Sequence, residues 1–99
     1  MILNTETKYE IEITSNFKKQ YKKILKQGKD ISKFVKVIKM LTDGDKLKPR
    51  YKDHVLINDK YYKNCRECHI EPDWLLIYQY CDKKLILVSM GSHSELFKQ

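Results

Sequence analysis

The run Trp74-Leu75-Leu76-Ile77-Tyr78-Gln79-Tyr80-Cys81 constrains this chain more than any other stretch, because it is nearly all apolar or aromatic and rich in residues that suit a pleated surface. Such a run, without alternation, predicts a strand buried on both faces in the middle of a sheet. Immediately before it, Glu71-Pro72-Asp73 is a turn signal. Proline presets φ for the second position of a tight turn, and aspartate bonds its own following backbone. His69 and Asp73 therefore bracket a bend that a rigid strand holds in place.

The rest of the chain supplies partners for that strand. Lys8 to Thr14 alternates, with Tyr9, Ile11 and Ile13 on one side and Glu10, Glu12 and Thr14 on the other, which predicts a half-buried strand. Ser15 offers an N-cap, and Phe17, Tyr21, Ile24 and Leu25 recur at helical spacing up to a stop near Gly28. Asp30 can cap a second helix whose apolar set is Ile31, Phe34, Val35, Ile38 and Leu41, ended by Thr42-Asp43-Gly44-Asp45. The short connection makes the pair an antiparallel hairpin. Leu47 to Lys60 reads as a loop with a short extended piece at His54-Val55-Leu56. Tyr61 to Ile70 reads as a strand, Trp74 to Cys81 returns antiparallel, Asp82-Lys83 turns, and Lys84 to Met90 is the last strand. After Gly91, Ser92 to Phe97 reads as a capped turn of helix. The order β-α-α-β-β-β is that of an α+β domain: a small, antiparallel-dominated four-stranded sheet with an N-terminal helical hairpin on one face. Periodicity does not give the neighbour or direction of the first strand.

Ninety-nine residues make one domain, 1–99, of a size that buries roughly two thirds of its unfolded surface. Twenty basic side chains against 13 acidic ones give a net charge of +7, and the excess is concentrated: Phe17 to Lys63 holds 15 basic and 5 acidic residues. That field attracts polyanions, nucleic acid foremost, with an acidic protein or a membrane surface as rivals. On charge alone, a solvated helix face accounts for it equally well. The odd cysteine count, the lack of an apolar leader after Met1-Ile2-Leu3-Asn4 and the absence of a spanning run predict a reduced, cytoplasmic protein with no membrane partner. Cys65-Arg66-Glu67-Cys68 has CxxC spacing, but there is no second pair, and residues three apart on a strand face opposite ways. Cys65, Cys68 and Cys81 are therefore read as fillers.

Chemistry points to the histidines. His54, His69 and His93 are the only three, and each stands beside a turn or strand end. A neutral imidazole can take or give a proton near pH 7, and Asp73 can orient one or stabilise its cation. With a basic face to hold phosphates, this set suits cleavage of RNA by its own 2′-hydroxyl, without metal or cofactor. The rival is zinc held by three histidines and a carboxylate. No histidine pair has short helical spacing, and the basic surroundings repel a cation, so the metal-free reading is preferred. Trp74 and Phe97 are either core or platforms for a splayed base.

The runs Tyr51-Lys52-Asp53-His54-Val55-Leu56, Arg66 to Tyr78 and Gly91 to Phe97 together resemble the YafQ branch of the RelE/ParE toxin superfamily. The likeness is specific from Tyr51 to Phe97, and Met1 to Arg50 follows the family only in pattern. It implies a RelE-like fold and the toxin half of a bacterial type II toxin–antitoxin pair, a ribosome-dependent endoribonuclease that cuts mRNA in the A site. Carried over by position, His54, His69, Asp73 and His93 match catalytic residues, with His93 the general acid, and Trp74 and Phe97 match aromatic positions near the substrate. Arg66 and Lys52 are further candidate substrate contacts, with a purely structural role as the alternative for Arg66 on its strand. The implied partners are the ribosome, mRNA and a cognate antitoxin with an acidic segment that orders on binding, with operator DNA reached only through the antitoxin complex. The lysine-rich first helix would meet ribosomal RNA by charge. Ile57 to Asn64 is about two residues longer than the family pattern, Asn58 stands where glycine is common, and Cys65 replaces an aromatic. The alternative from another class is a noncatalytic toxin of the same superfamily, such as a gyrase inhibitor, or a basic nucleic-acid-binding module.

Overall fold

The computed structural model describes residues 8–97. The reading of Met1 to Asn4 lies outside them. The elements run β1 (Glu10–Ile13), α1 (Ser15–Lys26), α2 (Ile31–Thr42), a 3-10 turn (Pro49–Tyr51), β2 (His54–Val55), β3 (Arg66–Glu71), β4 (Trp74–Cys81), β5 (Lys84–Gly91) and α3 (His93–Phe97). The sheet has five strands, not four, in the order β1-β5-β4-β3-β2. The extra strand is the two-residue β2, which forms within the short extended piece expected at His54-Val55-Leu56 and pairs antiparallel with β3. β1 lies parallel to β5 at the other edge, with Glu10 beside Lys84 and Ile13 beside Leu87.

β4 sits at the centre as its apolar run demands, with Trp74 to Ile77 fully buried. Its alternate residues feed two cores. Trp74, Leu76 and Tyr78 join Cys68, Ile70, Leu85, Leu87, Phe17, Phe34, Val37 and Leu41 under the helices. Leu75 and Ile77 face the other way, against Cys65 and Leu96 of α3. Cys65 and Cys68 thus lie on opposite faces, and burial pushes both thiols up, which keeps them protonated and inert.

Several boundaries differ from the sequence reading for local reasons. Thr14, not Ser15, caps α1, its hydroxyl accepting from the Phe17 amide at 3.0 Å. Leu25 on α1 and Val35 on α2 point outward, while Val37 takes the buried place, because the inward stripe of α2 runs Phe34, Val37, Leu41. Asp30 caps α2 as expected. Ile11 and Ile13 are about half exposed, since they belong to an edge strand at the rim of the helical layer. β3 begins at Arg66 rather than Tyr61, because the Asp59 carboxylate accepts from the amides of Tyr61 and Tyr62 and so withdraws them from any ladder. Asn58 does adopt the left-handed conformation, with φ of 56°.

Candidate active site

The site forms where β3 turns into β4 and where the last strand hands over to α3. Pro72 and Asp73 make the tight turn between Glu71 and Trp74, and the β3–β4 register slips just after His69. Such irregularities re-aim side chains near functional sites. His69 pairs with Leu75, so it projects to the α3 side of the sheet. On the same face, His54 lies directly across from Glu67, so two residues of β2 suffice to deliver that imidazole.

α3 brings the third histidine. Ser92 and Glu95 form a reciprocal capping pair: the Ser92 amide donates to Glu95 Oε1 at 2.9 Å, and the Glu95 amide donates to the Ser92 hydroxyl at 3.3 Å. Glu95 also bonds Lys23 of α1, and that lysine together with the Ser92 amide holds its carboxyl below the usual range. Gly91 permits the tight approach, since a Cβ there would meet Glu95 Oε1 at 2.9 Å. The result places the His93 ring 5.5 Å from that of His69.

Each imidazole has a carboxylate. His93 Nδ1 lies 3.0 Å from Asp73 Oδ1, which also accepts from the His93 backbone amide at 2.9 Å. That amide and then the ring hold the Asp73 carboxyl below its ordinary value, so it is ionised at neutral pH. His69 Nε2 lies 3.2 Å, and His54 Nε2 3.5 Å, from the same oxygen of Glu67. His54 Nδ1 is 2.8 Å from the Lys52 carbonyl, an acceptor, which requires the proton on that nitrogen. Glu67 is only 4% exposed, and a buried carboxylate is costly unless partnered. By type it resembles any strand glutamate, and the sequence signal for its role is its place two residues before His69 on a strand, which puts both on one face.

Beside the imidazoles lies a cavity of about 610 Å³, walled by Lys33 and Lys36 of α2, by Arg50 and Lys52 in and just after the 3-10 turn, and by His69, Glu71, Pro72 and His93. Lys52 therefore reaches the site, on a left-handed residue with φ of 50°. Phe97 is half-buried, with its ring 6.2 Å from His93. Two proposed contacts lie elsewhere. Trp74 is fully buried under the helices, with Lys29 over its ring, and offers no face to a base. Arg66 points to the helical side, where it makes two hydrogen bonds to Asp53 at 3.0 and 3.3 Å. Tyr78 donates to the same carboxylate at 2.5 Å, and burial with that neighbour pushes its phenol up. This cluster pins the residue next to His54 to the central strand.

The donor atoms of Glu67, His69 and His93 all lie within 4.8 Å of one another, close enough to share a metal ion. No helix among the described residues is long and apolar enough to cross a membrane.

Residues 9–98 match the family described as a bacterial toxin of type II toxin–antitoxin systems, YafQ. A curated relative, the mRNA interferase toxin YafQ of Escherichia coli, is 37% identical over 89 residues, covering 89% of this chain and 95% of the relative. Among solved structures, the E. coli DinJ-YafQ toxin–antitoxin complex contains a chain 35% identical at a TM-score of 0.82, with 91% of this chain and 98% of that one covered. A metal-bound toxin from Helicobacter pylori is 43% identical at a TM-score of 0.82, covering 90% and 99%.

Proposed function

Because the chain belongs to the YafQ family of bacterial type II toxins, we propose that it is an mRNA interferase, an endoribonuclease that cuts mRNA in the ribosomal A site and is silenced by a cognate antitoxin. The observation that carries this reading is the pairing of His69 and His93, 5.5 Å apart, each beside its own carboxylate and both lining a cavity with four cationic side chains.

In this reading a phosphate of the RNA enters the basic cavity. Asp73 on Nδ1 of His93 orients that ring and stabilises its cation, leaving Nε2 to protonate the departing 5′-oxygen. Glu67 does the same for His69, whose other nitrogen takes the 2′-hydroxyl proton, with His54 on the shared carboxylate as the alternative base. Lys52 and its cationic neighbours offset the charge gathering on the phosphorane. Phe97 offers its ring to a neighbouring base. No step needs a metal. The partners are then the ribosome and mRNA, met by the lysine-rich α1, and an acidic antitoxin segment, with operator DNA reached through the antitoxin complex. All of this takes place in the cytoplasm, within a single domain.

One observation favours a second reading of the same groups. Glu67, His69 and His93 are spaced to hold an ion, and a metal-bound relative exists. Mapping mRNA ends on translating ribosomes tests the proposal. Wild type should cut and His93→Ala should not; intact mRNA with wild type, or equal cutting by both, would reject it. Calorimetric titration of the isolated chain with zinc should show no tight site, and a tight site lost in Glu67→Gln would instead support the metal. DNA damage without mRNA cleavage would indicate a gyrase-directed toxin.

A further inference from the structure

A line of aromatic rings leads away from the imidazoles along loop 57–64. His93 neighbours Phe97 at 6.2 Å, Phe97 meets Tyr62 edge-on at 5.7 Å, and Tyr62 meets Tyr61 at 6.5 Å. The two tyrosines differ in what holds them. Tyr62 is half-buried and donates its hydroxyl to the Leu96 carbonyl at 3.1 Å, which ties the loop to α3. Tyr61 makes no such bond to any of the described residues and is 61% exposed. The loop beneath it is fixed: Asp59 accepts from both tyrosine amides, the Leu56 amide donates to the Cys65 carbonyl at 2.9 Å, and Asn58 and Asn64 take left-handed turns. A ring displayed on a preformed loop loses little freedom when something stacks on it. Lys60 and Lys63, both exposed, flank the pair, so cations bracket the rings as in surfaces that track single-stranded nucleic acid.

We propose that loop 57–64 is a nucleobase subsite continuing the active-site cleft, in which Tyr61 stacks on a base of single-stranded RNA one step beyond the base held at Phe97. It rests on the reading that this chain acts on RNA. Tyr62 is the positioning residue between the two stacking faces, and Lys60 and Lys63 accompany the backbone. Stacking tolerates any base, so the subsite adds affinity and registers the strand against His69 and His93 without selecting a sequence.

The test is fluorescence anisotropy of the full chain with an end-labelled hexaribonucleotide that carries 2′-O-methyl groups throughout and so cannot be cut. Tyr61→Ala should weaken binding about tenfold, and Tyr61→Phe, which keeps the ring, should stay within about twofold of wild type. Replacing one nucleotide by an abasic residue should reproduce the loss, and the two losses should not add. Thermal melting should show both variants folded, since the residue is exposed. Wild type that binds through Tyr61 yet cuts no mRNA would sink the nuclease reading and leave the subsite standing. Equal binding by wild type and Tyr61→Ala, or binding by neither, would overturn the subsite whatever the cleavage assay shows. So would a Tyr61→Ala defect confined to the antitoxin, which would make the patch a protein contact.

Discussion

One carboxylate oxygen of Asp73 receives both the backbone amide of His93, at 2.9 Å, and approaches its ring Nδ1, at 3.0 Å. A single side chain therefore fixes where α3 starts and how its histidine is turned. Asp73→Asn keeps an oxygen for the amide but removes the charge beside the imidazole. Cleavage by Asp73→Asn should fall about a hundredfold in kcat with KM little changed, and His93→Ala should fall further. A change confined to KM would show that Asp73 serves binding instead.

Glu67 links the other two imidazoles through one oxygen. Glu67→Gln preserves the volume of this buried group and retains a polar partner, so the fold should survive. Cutting should drop at least about tenfold, because an amide orients the rings without stabilising a cation. Single-turnover cleavage alongside a melting curve separates the two effects. A variant that cuts normally would reduce Glu67 to packing.

The docking of α3 has a defined pH range. Both carboxyls that hold it, Asp73 through His93 and Glu95 through Lys23 and Ser92, are depressed in the folded state from ordinary values of 3.8 and 4.5. A depressed carboxyl contributes stability fully above its unfolded value and loses it as pH falls through the lower, folded one. The protection of the amides of residues 92–97, relative to their intrinsic exchange at each pH, should therefore be flat from neutrality down to about pH 5 and fall only below the ordinary carboxylate range. Release of α3 already at pH 6 would contradict this linkage.

On the far side of the sheet, Asp53 gathers Arg66 and Tyr78. Asp53→Ala strands a largely buried phenol and leaves the guanidinium unpaired. Urea unfolding should show a loss of about 2 kcal/mol, and melting should fall by about 10 °C. The same variant should slow cleavage, because His54 follows directly and shares its loop. Unchanged cleavage in the folded variant would exclude a positioning role for the cluster.

Which of these features the sequence disclosed follows from how local they are. Trp74 to Cys81 is legible because a strand buried on both faces carries an unbroken apolar run, and Asp30 and the Pro72-Asp73 turn are legible because caps and turns act within a few residues. The outward turn of Val35 and the burial of Val37 were not, since both valines fit an apolar stripe and only the angle at which α2 meets the sheet decides between them. β2 is legible only as a short extended piece at His54-Val55-Leu56, because two residues have no period to show that they pair with β3. At the site, the histidines and Asp73 stood out by type, whereas Glu67 looks like any strand glutamate until His54 is placed across from it. Trp74 illustrates the reverse error: it neighbours Asp73 in sequence, but strand alternation sends its ring to the opposite core.

β1 and β5 lie side by side although the Thr14 hydroxyl reaches a carbonyl, that of Val88, 74 positions along the chain. As the polypeptide is synthesised, the first strand and both long helices therefore emerge with no sheet to rest on. The three strands that receive them, and the helix bearing His93, come afterwards. Assembly waits for the latter half of the molecule, and the imidazole pair is completed last of all. A nascent chain of this topology cannot bring the rings of His69 and His93 together until the segment beyond β5 has been made.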